Sequence, residues 1–186
     1  MSLKNHWNSG DAEIAILAGG LSKRMGSDKL RLRLGRRTSL GHVRALAETQ
    51  RLATRLIRKD LVPRCGPIGG IYTALKQARK PATLLLVGDM PFVSVQFVER
   101  LVRAARDKDL AVFAHGERGF GFPALMAAEA LPAVESQLAD GQRSIQALAR
   151  RLNARAFTPP IRLADNLFNL NTPADLEIAR ERMRRR

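Results

Sequence analysis

Between residues 17 and 29 the chain reads LAGGLSKRMGSDK, thirteen positions that hold three glycines and four charged side chains. A glycine-rich loop lets backbone N–H groups come close to phosphate oxygens, and Arg24 and Lys29 could add charge-assisted hydrogen bonds to them. The same composition also suits a plain solvated turn. The loop is not a Walker A motif, in which lysine and serine or threonine directly follow the last glycine; here Ser27 and Asp28 follow Gly26. No GxGxxG fingerprint is present, which removes the main support for a dehydrogenase-type dinucleotide site.

Asp89 closes the apolar run TLLLVGD. A carboxylate there could hold Mg²⁺, which takes one or two carboxylates beside phosphate oxygens, or it could be a turn aspartate ahead of Pro91. Asp60 follows RLIRK with the same two readings and a weaker signal. Gly66-Pro67-Ile68-Gly69-Gly70 leads into a helical stretch, whose first N–H groups could face an anion or only make a tight connection. Asn169 and Asn171 flank Leu170, and in extended chain both amides would point to one side. His6, His42 and His115 show no metal-ligand or triad spacing. Cys65 is the only cysteine, so an internal disulfide is excluded and a zinc site has no support.

The elements that must carry these residues alternate. EIAILA, residues 13–18, reads as a buried parallel-type strand that ends on the glycine loop. Apolar residues at helical spacing predict a helix over 38–53, capped by Thr38 or Ser39. RLIRK (55–59) is a weaker strand, GGIYTALKQARK a helix stopped by Pro81, and TLLLV (83–87) a strong strand. Ser94 caps a helix with Phe97, Val98, Leu101 and Val102 on one face. Strands over 110–114 and 122–126 enclose the turn GERGFG, and helices over 131–138 and 144–152 precede a short apolar segment at 154–157. The last helix starts on Thr172, Pro173 and Asp175. Strands alternating with helices predict an α/β fold with a mostly parallel sheet. In such sheets ligands sit beyond the carboxyl ends of the strands, where both the 17–29 and the 88–91 loops would lie.

At 186 residues the chain suits a single domain, expected over residues 1–186 with the first twelve flexible. No apolar stretch is long enough to span a bilayer, and MSLKNHWNSGDAE lacks the apolar core of a signal peptide, so a cytoplasmic location and no membrane partner are expected. The net charge is +15, and residues 21–64 alone carry thirteen basic and three acidic side chains, which should draw anionic ligands. Specific nucleic-acid recognition is not expected, because aromatic residues make up only 5% of the chain and no RNP-like pattern occurs.

LAGGLSKRMGSDK, GPIGG, VGDMP, HGERGFGFPAL and NLNTPADLE follow one another in the order and rough spacing of the nucleotidyltransferases of the molybdenum cofactor guanylyltransferase (MobA) family, which the chain resembles from about Ile14 to Ile178. The resemblance implies a Rossmann-like fold of the nucleotide-diphospho-sugar transferase type. It also implies transfer of GMP from GTP to the terminal phosphate of Mo-molybdopterin, with Mg²⁺ as cofactor and loss of pyrophosphate. Carried over by motif, Leu17, Ala18, Gly19, Lys29, Asp60 and Asp89 would contact the nucleotide and Asp89 the metal. Lys29, Arg24 and Asp89 would carry catalysis, and Arg24, Gly66, Asn169 and Asn171 would lie on the pterin side. A molybdoenzyme or another protein of cofactor synthesis is the implied partner. One departure stands out. The family places two strands between the first helix and GPIGG, where this chain has only Leu52–Pro63, so one strand unit and its base-contacting asparagine segment are expected to be absent. That leaves a guanylyltransferase, a related cytidylyltransferase using CTP, and a shortened non-catalytic paralogue that binds pterin or nucleic acid as readings of the sequence.

Overall fold

The computed structural model describes residues 11–19, 29–62, 64–106 and 108–185. In chain order its regular elements are β1 (Ala12–Leu17), β2 (Arg33–Leu34), β3 (Arg37–Thr38), α1 (Ser39–Thr49), β4 (Ala53–Ile57), α2 (Pro67–Lys76) and β5 (Ala82–Val87). They continue with α3 (Val95–Ala104), β6 (Ala111–Gly116), β7 (Gly119–Ala127), α4 (Leu131–Ala139), α5 (Ile145–Arg151), β8 (Arg155–Phe157) and α6 (Pro173–Arg184). Short 3-10 turns fall at Lys29–Arg31, Ala128–Ala130 and Ile161–Leu167.

Six strands form one sheet in the order β4-β1-β5-β7-β6-β8. β1 pairs parallel with both β4 and β5, β7 runs antiparallel to β5 and β6, and β8 is parallel to β6. All strands except β7 therefore end on the same rim, which is the mostly parallel α/β sheet that alternation predicts. Side chains alternate through the sheet as the pleat requires. Ile14, Ile16, Leu84 and Leu86 face α1 and α3, whose Val43, Leu46, Phe97 and Leu101 complete one core. Ala15 and Leu85 turn the other way, onto Ile68 and Ile71 of α2 and Leu148 of α5.

Local chemistry sets the helix starts. The Thr38 hydroxyl accepts from the Gly41 N–H at 3.0 Å, the Ser94 hydroxyl accepts from the Phe97 N–H, and Thr172 with Asp175 makes a full capping box ahead of α6. The strand expected at 55–59 begins two residues earlier and ends at Ile57. The strand expected at 122–126 begins at Gly119, leaving Glu117-Arg118 as a two-residue turn. Gly119, at φ +83°, supplies a backbone conformation that a side chain would oppose.

A single strand, β4, stands between α1 and α2, and it lies directly against β1 at the border of the sheet. Its Arg55 reaches under β1 to Glu13, which is 1% exposed, and donates to the Ala74 carbonyl at 2.9 Å. β2 and β3 form a small antiparallel ribbon outside the main sheet. Its Leu34 packs with Phe92, Leu170, Leu176 and Ala179 in a third, separate core.

Candidate active site

The carboxyl ends of β1 and β5 are joined directly, because the Gly88 N–H donates to the Leu17 carbonyl at 3.0 Å. On the other side of β1, the Ala18 N–H donates to the Ile57 carbonyl at 2.8 Å, which holds Leu17–Gly19 beside the end of β4. Gly19 approaches backbone closely: a Cβ there would stand 3.2 Å from the Arg58 carbonyl oxygen and 3.6 Å from Oδ1 of Asp60. Asp60 in turn reaches the first turn of α2. Its Oδ2 lies 3.2 Å from where a Cβ on Gly69 would be, and its Oδ1 lies 3.7 Å from the equivalent point on Gly70. Glycine at these positions lets strand end, carboxylate and helix N-terminus converge.

Asp60 is half-buried, and among the described residues its carboxylate accepts no hydrogen bond. Burial pushes its pKa above the ordinary aspartate range. A carboxylate held partly out of water without a partner is a liability for folding alone, and such groups cluster at sites that bind or react. Leu17, Ala18, Gly19 and Asp60 are thus brought together, on the side of the sheet where Pro67 starts α2. Gly66 caps that helix at φ +59°, and a Cβ on it would lie 4.0 Å from the Arg143 carbonyl oxygen.

Asp89 sits one residue beyond Gly88. Its backbone carbonyl accepts from the Leu170 N–H at 2.9 Å, so the Asn169–Asn171 segment is tied to the Asp89 turn. Leu170 is fully buried while both asparagines are half-buried. Oδ1 of Asn169 is buried with no hydrogen-bond partner among the described residues, the kind of orphaned acceptor that a cation or a donor on a ligand satisfies. Asp89 and this segment are hard oxygen donors. One carboxylate beside amide oxygens is a donor set that suits Mg²⁺ when ligand phosphates complete its shell.

The Arg24 assignment, and the side chain of Lys29, lie outside the described residues; the backbone of Lys29 opens the 29–31 turn, leading into β2. Two supports of the site had no local signature. Ser39, legible only as a possible cap, donates its hydroxyl to the Gly88 carbonyl at 2.8 Å, and Leu30 fills the space over Gly88, 2.9 Å from where a Cβ would be. The third core is the other. Phe92 follows the Asp89 turn, Leu170 separates the asparagines, Leu34 follows Lys29, and all three meet α6. Only their shared apolar character hints at this, since they are scattered along the chain.

A family model described as a MobA-like NTP transferase domain matches residues 14–156. The molybdenum cofactor guanylyltransferase of Rhizobium leguminosarum bv. trifolii is 32% identical over 195 positions, covering 90% of this chain and 91% of that protein. A protein of Opitutus terrae named "probable molybdenum cofactor guanylyltransferase" is 33% identical over 194 positions, covering 92% of this chain and 94% of its own length. Those 194 positions exceed the residues this chain contributes, so the alignment opens gaps here and the relative carries residues that this chain lacks. Among solved structures, molybdopterin-guanine dinucleotide biosynthesis protein A of Archaeoglobus fulgidus superposes with a TM-score of 0.74 at 23% identity, covering 94% of this chain and all of that one, which shows the shared fold.

Proposed function

Because the chain belongs to the MobA-like NTP transferase family, a family of nucleotidyltransferases, we propose that it transfers GMP from GTP to the terminal phosphate of Mo-molybdopterin in molybdenum cofactor synthesis, in the cytoplasm. The observation that carries this reading is the meeting of two half-sites on one rim. Leu17–Gly19 and Asp60 stand at the head of α2 on one side, and Asp89 is laced to Asn169–Asn171 on the other. The nucleotide occupies the first, where Lys29 meets its phosphates. The acceptor occupies the second, and Arg24 and Gly66 keep the acceptor-side roles that the family resemblance implies.

An oxygen of the acceptor phosphate attacks the α-phosphorus of GTP; that P–O bond forms as the bond to the bridging oxygen of the β-phosphate breaks, and pyrophosphate leaves with the electron pair. The nucleophile is already an anion, so no side chain need remove a proton; positioning and charge neutralisation supply the rate. Asp89 and the asparagine oxygens would hold Mg²⁺, which supplies charge neutralisation at the reacting phosphates. Lys29 and Arg24 oppose the charge that builds on the α-phosphate and the leaving group. Asp60 orients the nucleotide at the α2 N-terminus.

The test is direct: purified protein, Mg²⁺ and molybdopterin are incubated with GTP or CTP, and dinucleotide and pyrophosphate are measured. The guanine dinucleotide is expected. Product from CTP alone would make the protein a cytidylyltransferase, a reading left open by the short interval that holds only β4 between α1 and α2. No product from either would sink the transferase assignment. Lys29→Ala should lower turnover sharply with the melting temperature unchanged.

A further inference from the structure

The hairpin between β6 and β7 has no role in the site as described, yet its geometry is that of a site element. β6 runs parallel to β5, so its turn, Glu117-Arg118, lies on the same rim as Asp89. Only β7 separates the two strands, which puts them about 10 Å apart at the ordinary spacing of roughly 4.8 Å per strand. The turn leans on the segment that holds the asparagines: a Cβ on Gly116 would come within 2.8 Å of Cδ1 of Leu167. Leu167 ends the short turn that leads into Asn169–Asn171, so the hairpin rests on the chain just ahead of the asparagines.

A turn facing solvent is ordinarily free to move. This one is gripped by Gln146 of α5, whose Oε1 accepts from the Phe120 N–H at 3.0 Å and whose Nε2 donates to the carbonyls of Phe120 at 2.7 Å and Arg118 at 3.4 Å. Glycine at 119 suits that grip, since φ there is +83° and a Cβ would stand 2.6 Å from Oε1 and push Gln146 off the turn. The backbone of Arg118 is fixed while its side chain is exposed, and among the described residues the guanidinium has no carboxylate within ion-pair distance. Beside it the rings of His115 and Phe120 meet edge to face, 5.0 Å apart and half-buried.

We propose that Arg118 is an acceptor-binding residue, gripping the end of the acceptor remote from its nucleophilic phosphate, and that Gln146 is a positioning residue for it. The inference rests on the transferase reading above. With the acceptor's phosphate at Asp89, the part of the molecule that reaches a distance of two strands along the rim is its ring system with the dithiolene-bound metal. That end is flat and rich in hydrogen-bond acceptors: carbonyl and ring nitrogens, sulfurs and metal-bound oxygens. A planar guanidinium with several donors matches it better than a point charge does, and the His115–Phe120 pair offers an aromatic wall for the ring.

The test measures acceptor and nucleotide separately. Molybdopterin is titrated against wild type, Arg118→Ala, Arg118→Lys and Gln146→Ala by pterin fluorescence without nucleotide, and KM for acceptor and for GTP is then measured in the dinucleotide assay. Arg118→Ala should weaken acceptor binding about tenfold or more, the scale of one or two charge-assisted hydrogen bonds. Arg118→Lys should fall in between, Gln146→Ala should raise the acceptor KM more than it lowers kcat, and KM for GTP should stay unchanged in all three. Unchanged acceptor affinity in Arg118→Ala overturns the proposal, as does a rise in KM for GTP equal to that for acceptor. If wild type neither binds molybdopterin nor forms dinucleotide, the transferase reading falls and the proposal with it; a wild type that does both, beside an equally competent Arg118→Ala, defeats the proposal alone.

Discussion

Asp60 is a carboxyl whose partial burial opposes its charge. A carboxyl whose pKa is higher in the folded than in the unfolded chain binds more protons when folded, so stability declines as pH rises through the raised pKa. At neutral pH the ionised form is a standing cost. Asp60→Asn, which keeps the shape and removes the charge, should therefore melt above wild type at pH 7. The margin should close as pH falls into the aspartate range, where wild type is itself neutral. The same variant should bind nucleotide about tenfold more weakly, the loss expected for one hydrogen bond to a charged group. Calorimetry across pH and nucleotide titration separate the two effects. A variant less stable than wild type at pH 7 would mean that Asp60 is a structural group.

At the scale of elements, the third core links segments that are far apart in the chain. Leu170→Ala removes a fully buried side chain from among Leu34, Phe92 and Leu176 and should cost about 2–5 kcal/mol in urea unfolding. It should also lower kcat in the molecules that remain folded, because the Asp89 turn and the asparagine segment are held by that contact. Across the sheet, Arg55→Ala would strand the buried Glu13 carboxylate and should cost about 3–5 kcal/mol, whereas replacing both residues with leucine should be nearly neutral. A double variant as unstable as the single one would contradict this. Elements with a local grammar were legible from the sequence: the apolar run of β1, the Ser94 cap, and Thr172-Pro173 before α6. The β2–β3 ribbon was not, since its two-residue strands carry no periodicity and exist because Leu34 finds α6, more than a hundred residues away. Nor was the turn at 161–167, whose Asn166 accepts from the Ser94 N–H at 2.7 Å, a contact without any pattern along the chain.

For the molecule as a whole, the charge of +15 should make association with anionic substrates depend on salt. GTP association should slow several-fold between 50 mM and 500 mM salt, with a smaller change in dissociation, measurable by stopped-flow fluorescence. Retention on heparin at low salt would reflect the same field and says nothing of specificity. The strand-end loops at Leu17–Gly19 and at Asp89 were readable from the sequence, and the structure joins the ends of their strands. That the β6–β7 turn shares their rim was not readable, because it depends on β7 reversing so that the ends of β5 and β6 point the same way.

The single strand β4 has a last consequence. The Ile57 carbonyl faces β1, so alternation turns the peptide groups of Thr54 and Leu56 outward, where among the described residues they bond to no strand. Their amides should exchange with solvent quickly while their neighbours in β1 are slow, a contrast visible in hydrogen-exchange spectra. A single strand, β4, is then all that separates β1 from the open edge of the sheet. Added protection of the Ala18 amide, which donates to the Ile57 carbonyl, on adding nucleotide would register occupancy at this border of the sheet.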